Sequence, residues 1–324
     1  MTSRIVGARW PKFFTRTEVI LEGKSTCPLK SLQNIQRNIS SLFRTWRLIK
    51  SHPLTSRNKA GAMLRLVRWQ LGSRILSNPV VMPFVEDSVL VAELGMTGAT
   101  GNIYCGLHEF EDMAFVLHVL KPADLFVDVG ANIGSYTVLA AKTAGANVLA
   151  LEPVPQTFCR LQRNIRINDV GSRAQALQCA AGGITGTLRF SADRDTLNRV
   201  VSESYTGKKI DVPVYPLDNL LEKKPAFIWK IDVEGFEYEV LCGGTQVLQD
   251  PILNAVLLEG GSSQINSIME AAGFVRSSYS PLDRKITVRS SAITKDNYLW
   301  IRDVECVKDR CRNARPVVVA GVTV

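Results

Sequence analysis

Apolar residues in the middle of the chain alternate between short continuous runs and segments with helical spacing. The short runs are typical of buried strands, and apolar positions three or four residues apart are typical of amphipathic helices. Regular alternation of the two predicts an α/β fold, doubly wound around a mostly parallel sheet that helices cover on both faces. The strands are predicted at 125–129, 147–151, 175–179, 226–231 and 254–259, and the helices are predicted to start near residues 134, 155, 237 and 264.

Two further strands are predicted near the end of this pattern, in GFVRSSY (273–279) and NYLWIRD (297–303). The segment between them has no apolar stripe that would make a crossover helix, so the last strand is predicted to return antiparallel. A hairpin-like pair, GTLRF (186–190) and KIDVPVYPLD (209–218), interrupts the alternation and is predicted to be an insertion. The stretch before the first core strand is predicted to hold two short strands, a glycine-rich turn and a helix, in VVMPFV, SVLVAEL, GMTGATGN and EFEDMAFVLHVL.

Two basic helices are predicted in the first quarter of the chain. Apolar residues three or four apart from Leu32 to Ile49 mark the first helix, which Pro53 ends. Packing of both helices on the body of the protein is expected, with dimer contacts or an anionic membrane surface as alternatives. The second helix spans residues 57–76, and its apolar face is formed by Ala60, Met63, Leu64, Val67, Leu71 and Ile75.

Charge is distributed unevenly along the chain, which divides into a basic helical extension at residues 1–78, the α/β domain at 79–305 and a C-terminal tail at 306–324. The 324 residues have a net charge of +9, but residues 1–76 hold fifteen Lys and Arg against two Glu, whereas the remainder holds twenty-four against twenty-eight acidic residues. The basic excess suggests an anionic surface or partner for the extension alone, without favouring a nucleic acid.

Composition indicates an ordinary globular protein. With 46% apolar residues the chain can bury a sizeable core, and no run is long enough to cross a membrane. Because no signal-peptide pattern is visible at the N-terminus, the cytoplasm is the expected compartment. The seven cysteines are odd in number and scattered, which favours free thiols, and the three histidines are not spaced as a ligand pair, which argues against a zinc site.

A glycine-rich turn, DVGANIG, follows the first core strand. Gly130 allows a tight turn, and the helix that begins near Gly134 offers unpaired N–H groups to an acidic ligand group. In a dinucleotide site the residue two after Gly130 is also glycine, which lets the backbone approach the diphosphate. Here it is Asn132, whose side chain would obstruct a diphosphate but can hydrogen-bond an amino-acid-like group. Asp128 would also repel phosphate.

An acid ends the second strand at the distance that is typical of ribose-binding sites. Glu152 lies twenty-two residues after Gly130, and in doubly wound sheets an acid placed there accepts hydrogen bonds from ribose hydroxyls. The alternative is that Glu152 only caps the next helix. Together the two loops predict a ligand with a ribose, a cationic or amino-acid-like end and no diphosphate. S-adenosylmethionine fits that description.

Charged residues also end two later strands. Lys230, Asp232 and Glu234 alternate at the end of one strand, so Lys230 and Asp232 should point to the same side. Glu259 ends the following strand. Because the carboxyl ends of strands in an open α/β sheet face the ligand crevice, these residues predict a polar site, although charged strand ends can also be simply solvated.

Five blocks of the sequence resemble the signature blocks of the FkbM family of S-adenosylmethionine-dependent methyltransferases: FVDVGANIGSYT, ALEP, NIRIN, VYPLDNLL and WKIDVEGFEYEVLCGG. The resemblance covers residues 104–302. It implies the Rossmann-like fold of class I methyltransferases, with a seven-stranded sheet whose last strand is antiparallel. It also implies O-methylation of a hydroxyl group on a sugar, glycan or natural product.

The resemblance further implies where the cofactor would lie. Glu152 would hold the ribose, and the chain near Ala180 would approach the adenine without the acid often found there. Asp232 would lie close to the transferred methyl group. The residues expected to hold the methionine portion are Asp128, Gly130, Asn132 and Gly134.

Methylation of a hydroxyl group calls for a base that removes its proton as the new bond forms. Histidine is the commonest base, but His108 and His118 lie before the first core strand and follow no recognised motif. Asp232 is therefore the hypothesised base. A divalent metal bridging the neighbouring acids is an alternative that the sequence does not favour. Next in order are Glu234 and Glu259 as bases, and Lys230 as the group that orients the reactants or stabilises charge.

A nicotinamide-dependent oxidoreductase is the main rival function. Tyr205 and Lys209 have the YxxxK spacing of one dehydrogenase family, but the polar residues around them predict a loop in place of the required helix. A non-catalytic scaffold that acts through its basic helices is a second alternative. The sequence does not identify the methyl acceptor. The segments expected to surround it are the insertion at 184–215, residues 98–112 and the N-terminal helices.

Overall fold

A computed structural model describes residues 45–47, 49–75, 79–93, 96–191, 205–222, 224–289 and 297–324 of the chain. The chain divides into two compact units, Met1–Trp46 and Arg47–Val324. The first predicted helix, from Leu32 to Ile49, lies almost entirely outside the described residues. The second predicted helix, the sheet and the C-terminal residues 306–324 all belong to the second unit.

The helices and strands of the second unit are numbered here in chain order. The helices are α1 (Pro53–Arg57), α2 (Lys59–Ile75), α3 (Thr97–Cys105), α4 (Phe110–Val119), α5 (Ser135–Val138, continued by a π-helical segment at Leu139–Ala144), α6 (Pro155–Ile167), α7 (Leu217–Leu221), α8 (Glu237–Cys242), α9 (Ser263–Ala271) and α10 (Val304–Arg312). The strands are β1 (Val80–Pro83), β2 (Val89–Ala92), β3 (Leu125–Val129), β4 (Asn147–Leu151), β5 (Ala174–Leu177), β6 (Ala180–Ala181), β7 (Gly186–Ser191), β8 (Lys209–Tyr215), β9 (Ile228–Ile231), β10 (Ala255–Glu259), β11 (Val275–Ser280), β12 (Lys285–Val288), β13 (Asn297–Ile301), β14 (Val318–Val319) and β15 (Val322–Thr323).

The central sheet confirms the predicted doubly wound α/β architecture. Its strand order is β12-β11-β13-β10-β9-β3-β4-β5. Neighbouring strands run parallel from β5 through β4, β3 and β9 to β10. Strand β13 runs antiparallel to both β10 and β11. The prediction that the last strand returns antiparallel is therefore confirmed.

Side chains of the sheet alternate between two apolar clusters, one on each face. In β3, Phe126 belongs to one cluster, and Val127 and Val129 belong to the other. The first cluster includes residues of α4, α6 and α10, and the second includes residues of α8 and α9. Because successive strand residues point to opposite faces, a strand covered by helices on both sides needs a continuous apolar run.

The central sheet has eight strands in the described part of the chain, where seven were predicted. The additional strand is β12, which pairs antiparallel with β11 at the edge of the sheet. One of its four side chains, that of Ile286, is buried. A four-residue edge strand with one buried side chain alternates too weakly to be recognised from the sequence.

The glycine-rich stretch before the sheet forms helix α3, so the predicted turn is wrong at this position. The side chains of Ala99, Ile103 and Cys105 are buried, and α3 packs against α2. A Cβ atom at Gly101 would lie 2.6 Å from the ring of His108. This glycine therefore provides space for a close contact, although glycine in a sequence more often indicates a turn.

Helix α2 packs against the rest of the second unit, as expected. It does so through the face opposite to the predicted one. Its buried side chains are those of Ala62 and Trp69. Both sides of the helix carry apolar residues, so the stripe alone could not tell which side meets the core. The predicted packing face is exposed, with side chains 36% to 75% accessible, at Met63, Leu64, Val67, Leu71 and Ile75.

The predicted hairpin-like pair of the insertion is confirmed, and it belongs to a small three-stranded sheet with β6. Strand β8 pairs antiparallel with β7 and parallel with β6. The C-terminal residues join the core, because Val307 and Cys311 of α10 are fully buried in the first apolar cluster. No helix in the described ranges is both long and apolar enough to span a membrane.

Candidate active site

A cavity of about 270 Å³ lies at the carboxyl ends of the parallel strands. Its lining comes from the ends of β3, β4, β9 and β10, from β6, from the insertion and from the segment between α3 and α4. Asp128, Gly134 and Lys230, which were also predicted for the site, do not line it. The predicted site residues that line the cavity are Gly130, Asn132, Glu152, Ala180, Asp232, Glu234 and Glu259.

The loop after β3 is fixed by backbone contacts to the loops after β4 and β9. Gly130 has φ of 80°, and a Cβ atom there would lie 1.9 Å from the carbonyl oxygen of Asp232. The amides of Gly130 and Ala131 both donate to the carbonyl of Leu151, at 3.0 and 2.9 Å. Glycine is therefore required at residue 130 by the close approach of another loop and by its left-handed conformation.

Glu152 joins two loops and lines the cavity with the same carboxylate. Its Oε2 accepts a hydrogen bond from the amide of Asn132 at 3.0 Å, and its Oε1 accepts one from the amide of Val154 at 2.8 Å. Burial raises the pKa of Glu152 to about 7, although the two backbone hydrogen bonds favour the charged form. An ionised carboxylate has about four acceptor positions, so capacity remains for ligand hydroxyls.

Asp128 and Gly134 support the loop from behind the cavity. The Asp128 side chain is 1% exposed and accepts a hydrogen bond from the hydroxyl of Thr137 at 2.6 Å. Burial raises the pKa of Asp128. Gly134 has φ of 89° and caps α5, and a Cβ atom there would lie 2.5 Å from Leu161. Both residues hold the helix that follows the loop, and neither reaches the cavity lining.

Lys230 and Asp232 form an ion pair at the end of β9, on the same side as predicted. The Lys230 ammonium lies 2.6 Å from Asp232 Oδ2 and 4.6 Å from the centre of the Tyr136 ring. Burial alone would lower the pKa of Lys230, but the surrounding carboxylates, led by Asp232, outweigh burial and raise it. Burial likewise opposes ionisation of Asp232, but Lys230 and the hydrogen bond with Glu259 together outweigh it and lower the pKa of that carboxyl. Both groups are charged at neutral pH.

Glu259 faces Asp232 from the neighbouring strand and retains a proton. Its hydrogen bond with Asp232, followed by burial, raises the pKa of Glu259 to about 9. Its Oε2 atom is buried, and no donor among the described residues points at it. A protonated carboxyl needs no such donor, because it can itself donate to the ionised Asp232. The two carboxyl groups therefore share one proton at neutral pH.

Three carboxylates at this edge are close enough together to hold a cation. One oxygen of each of Asp232, Glu234 and Glu259 lies within 4.8 Å of the others. Lys230 already places a positive charge beside them, and Glu259 retains a proton. These two features offset part of the negative charge, so the acids can lie together without a metal ion.

His108 and Glu109 also line the cavity, and the sequence did not identify them as site residues. The amide of His108 donates to the side chain of Asn102 at 2.8 Å, and Glu109 accepts a hydrogen bond from the hydroxyl of Tyr136 at 2.5 Å. These contacts fix the segment between α3 and α4 beside the site. Residues 98–112 were expected to surround the acceptor, but nothing in their pattern distinguished these two side chains.

The rival dehydrogenase motif does not form in this fold. Lys209 begins strand β8, and Tyr205 precedes it outside any helix, so the predicted loop is confirmed. Neither residue lines the cavity. The wall nearest to β6 instead carries Cys179, Ala180 and Ala181, which leaves small apolar side chains and backbone groups at that end of the cavity.

Residues 128–279 match the family model for the methyltransferase FkbM domain. This part of the chain is a methyltransferase FkbM domain. The matched range contains the loops after β3, β4, β9 and β10, and so most of the predicted site. His108 and Glu109 precede the matched range, although they line the same cavity. A segment N-terminal to the FkbM match therefore completes the site in this chain.

Several methyltransferases are similar to this chain in sequence. Methyltransferase sdnD of Sordaria araneosa is 29% identical over 204 residues, which cover 51% of this chain and 79% of that protein. Hexuronic acid methyltransferase AglP of Haloferax volcanii is 31% identical over 155 residues, which cover 47% of this chain and 62% of that protein. The 31-O-demethyl-FK506 methyltransferase FkbM of Streptomyces tacrolimicus is 28% identical over 207 residues, which cover 51% of this chain and 78% of that protein. Among solved structures, precorrin-6y C5,15-methyltransferase from Geobacter metallireducens has a TM-score of 0.35 and 11% identity, and the comparison covers 60% of this chain and 86% of that one.

Proposed function

We propose that this FkbM methyltransferase transfers the methyl group of S-adenosylmethionine to a hydroxyl group of a sugar, glycan or natural product. The observation that carries the proposal is the junction of the loops after β3 and β4, where Glu152 and Asn132 meet at the cavity wall. Two relatives support an oxygen acceptor by their names, one for a hexuronic acid and one for a 31-O-demethyl compound.

The lining residues fit the parts of S-adenosylmethionine in order along the sheet edge. Glu152 would accept hydrogen bonds from the ribose, and the small apolar side chains around Ala180 would pack against the adenine. Gly130 and Asn132 would hold the methionine portion. When bound, the cofactor supplies a methyl group on a positively charged sulfur. The acids at the ends of β9 and β10 suit a cationic group beside them.

Asp232 is the proposed base for the acceptor hydroxyl. Its pairing with Lys230 keeps the carboxylate ionised and fixes its position at the cavity wall. Much of the rate would come from holding the acceptor oxygen in line with the methyl group, and the base would remove the proton as the bond forms. Lys230 acts through Asp232 as a positioning residue. Proton removal by the Asp232 carboxylate does not require a metal ion.

Replacement of the base tests this assignment. Asp232→Asn is expected to lower kcat by about 100- to 10,000-fold, because the amide cannot accept the proton. Binding of S-adenosylhomocysteine should persist, measured by calorimetry. The matched control is Asp87→Asn, which alters a surface ion pair with Lys142 outside the cavity lining and should leave turnover unchanged. Turnover of Asp232→Asn close to wild type, in a folded protein, would refute this role.

His108 is a second candidate base, because it lines the cavity and imidazole is the commonest general base. The pH dependence of kcat/KM for the acceptor, measured at saturating S-adenosylmethionine, separates the two candidates. With Asp232 as base, the lowered pKa of that carboxyl predicts a rate that stays constant on acidification to about pH 5. With His108 as base, the rate would instead fall on acidification, because a protonated imidazole cannot accept the proton, and His108→Gln would abolish that fall.

The acceptor class is testable with the purified full-length chain. Incubation with methyl-labelled S-adenosylmethionine and a panel of uronic acid glycans and hydroxylated natural products should label one class, and mass spectrometry of the product would locate the methyl group. We place this reaction in the cytoplasm. A reducing compartment is supported by six free cysteines in the described residues, three of them buried.

A further inference from the structure

Helix α2 presents an apolar face to the outside of the second unit. Leu64, Val67, Leu71 and Ile75 recur at three- and four-residue spacing and are 44% to 75% exposed. The opposite side of the helix, through Trp69, is the side that packs. From Met63 to Ile75 the exposed stripe extends for about 18 Å. Isolated exposed apolar side chains are ordinary, but a continuous stripe of this length marks an interaction surface.

Basic side chains border this apolar stripe, and acidic ones are absent from its neighbourhood in the sequence. Lys59, Arg68 and Arg74 are exposed beside it on the same helix. Residues 47–75 contain seven Lys and Arg and no Asp or Glu. A helix face that is aliphatic in the middle and cationic at its borders is typical of segments that lie in the interface of an anionic bilayer.

The charges disfavour the two occupants that the chain itself could supply. Residues 1–46 contain eight Lys and Arg against two Glu, so this segment would bring more positive charge against Arg68 and Arg74. A second copy docked through the same face would also place like charges opposite each other, because a two-fold interface uses one patch twice. A partner surface that matches this face must therefore be both apolar and anionic.

We propose that α2 docks this face on an anionic lipid bilayer. The aliphatic side chains enter the boundary between headgroups and acyl chains, and the bordering arginines meet the anionic headgroups. Arg65 connects the helix to the rest of the unit by donating to the carbonyls of Ile103 and Tyr104 in α3. The segment after α3 carries His108 to the cavity. Docking thus holds the methyltransferase site near the membrane surface.

Co-sedimentation of the full-length chain with vesicles tests the proposal without any enzymatic readout. Partitioning to phosphatidylcholine vesicles that contain about one third phosphatidylglycerol should exceed partitioning to phosphatidylcholine alone by about tenfold or more, and added salt should weaken it. The double variant Val67→Ser with Leu71→Ser should lose about tenfold or more of this binding. Arg68→Gln with Arg74→Gln should reduce the preference for anionic lipid.

The matched control is Ile184→Ser with Ile252→Ser, which removes two aliphatic side chains that are also exposed but belong to loops outside α2. This control should bind vesicles like wild type, and thermal unfolding should show that all variants remain folded. Equal binding to neutral and anionic vesicles, or binding unaffected by Val67→Ser with Leu71→Ser, would overturn the proposal. A concentration-dependent dimer that this double variant abolishes would instead assign the face to a second copy.

Discussion

At the scale of single residues, Glu152 connects the stability of the site to its expected ligand. Its carboxylate accepts hydrogen bonds from the amides of Asn132 and Val154, and it also lines the cavity. The sequence offered ribose binding and helix capping as alternatives for this residue. The structure shows that a carboxylate can cap the chain after β4 with one oxygen and remain at the cavity wall, because each oxygen has two acceptor positions.

Cofactor binding is predicted to depend on pH through Glu152. The pKa of this carboxyl is raised to about 7, and ribose hydroxyls donate best to its ionised form. At pH 6 about nine-tenths of the free protein would carry the proton, so S-adenosylhomocysteine should bind about tenfold more weakly at pH 6 than at pH 8. Calorimetry at both pH values measures this ratio. Glu152→Gln should bind more weakly and with equal affinity at the two pH values, and a wild-type ratio near one would be inconsistent with this role.

Glu259 is predicted to make stability fall at alkaline pH. Its pKa is raised to about 9 in the folded chain from an ordinary value of 4.5, so between these values the unfolded chain releases a proton that the folded chain keeps. Raising the pH therefore favours unfolding, and the contribution is lost as pH rises through 9. Glu152 acts with the same sign, but only up to about pH 7.

The interval from pH 7 to pH 9 isolates Glu259 from Glu152. Urea unfolding of the unliganded chain should show a lower free energy of unfolding at pH 9 than at pH 7. Glu259→Gln, which cannot ionise, should lose much of that difference. An equal decline in both proteins would mean that Glu259 does not hold the proton assigned to it.

At the scale of elements, the site depends on loops that hold one another. Gly130→Ala would place a Cβ atom 1.9 Å from the carbonyl oxygen of Asp232, at a φ of 80° that alanine rarely adopts. We expect this variant to lose at least about 2 kcal/mol in the free energy of unfolding. Gly72→Ala is the control, because nothing lies near its Cβ position and alanine favours a helix by about 0.5–1 kcal/mol. Urea unfolding of both variants tests the contrast, and similar stabilities would contradict it.

The sequence predicted helices and strands well where buried apolar residues recur regularly along the chain. It predicted them poorly where this regular pattern is missing. Strands β3 and β4 match their predicted bounds because the last four residues of each strand are buried. Helix α3 was taken for a turn because Gly101, which makes room for His108, has the same sequence signature as a turn glycine. The packing side of α2 was not predictable, because both sides carry apolar residues. The side that packs is the one with the buried Trp69, whose contacts lie far away in the sequence.

At the scale of the whole molecule, most of the candidate site could be predicted from the sequence with one rule about parallel sheets. The carboxyl ends of parallel strands meet at one edge, so the acids that end β4, β9 and β10 were expected together and are found around one cavity. His108 and Glu109 were missed because they reach that cavity from a segment before the sheet. Only the three-dimensional path of that segment brings them there, and no periodicity marks it.

The central claim is that this cavity binds S-adenosylmethionine through the loops after β3 and β4. Calorimetric titration of the full-length chain with S-adenosylhomocysteine at pH 8, beside titrations with NAD and NADP, tests it most directly. The account predicts one binding site for S-adenosylhomocysteine and none for either dinucleotide. It also predicts that Glu152→Gln weakens binding by about tenfold or more, whereas Asp87→Asn does not. Binding of a dinucleotide, or no binding of S-adenosylhomocysteine by the folded chain, would contradict the account.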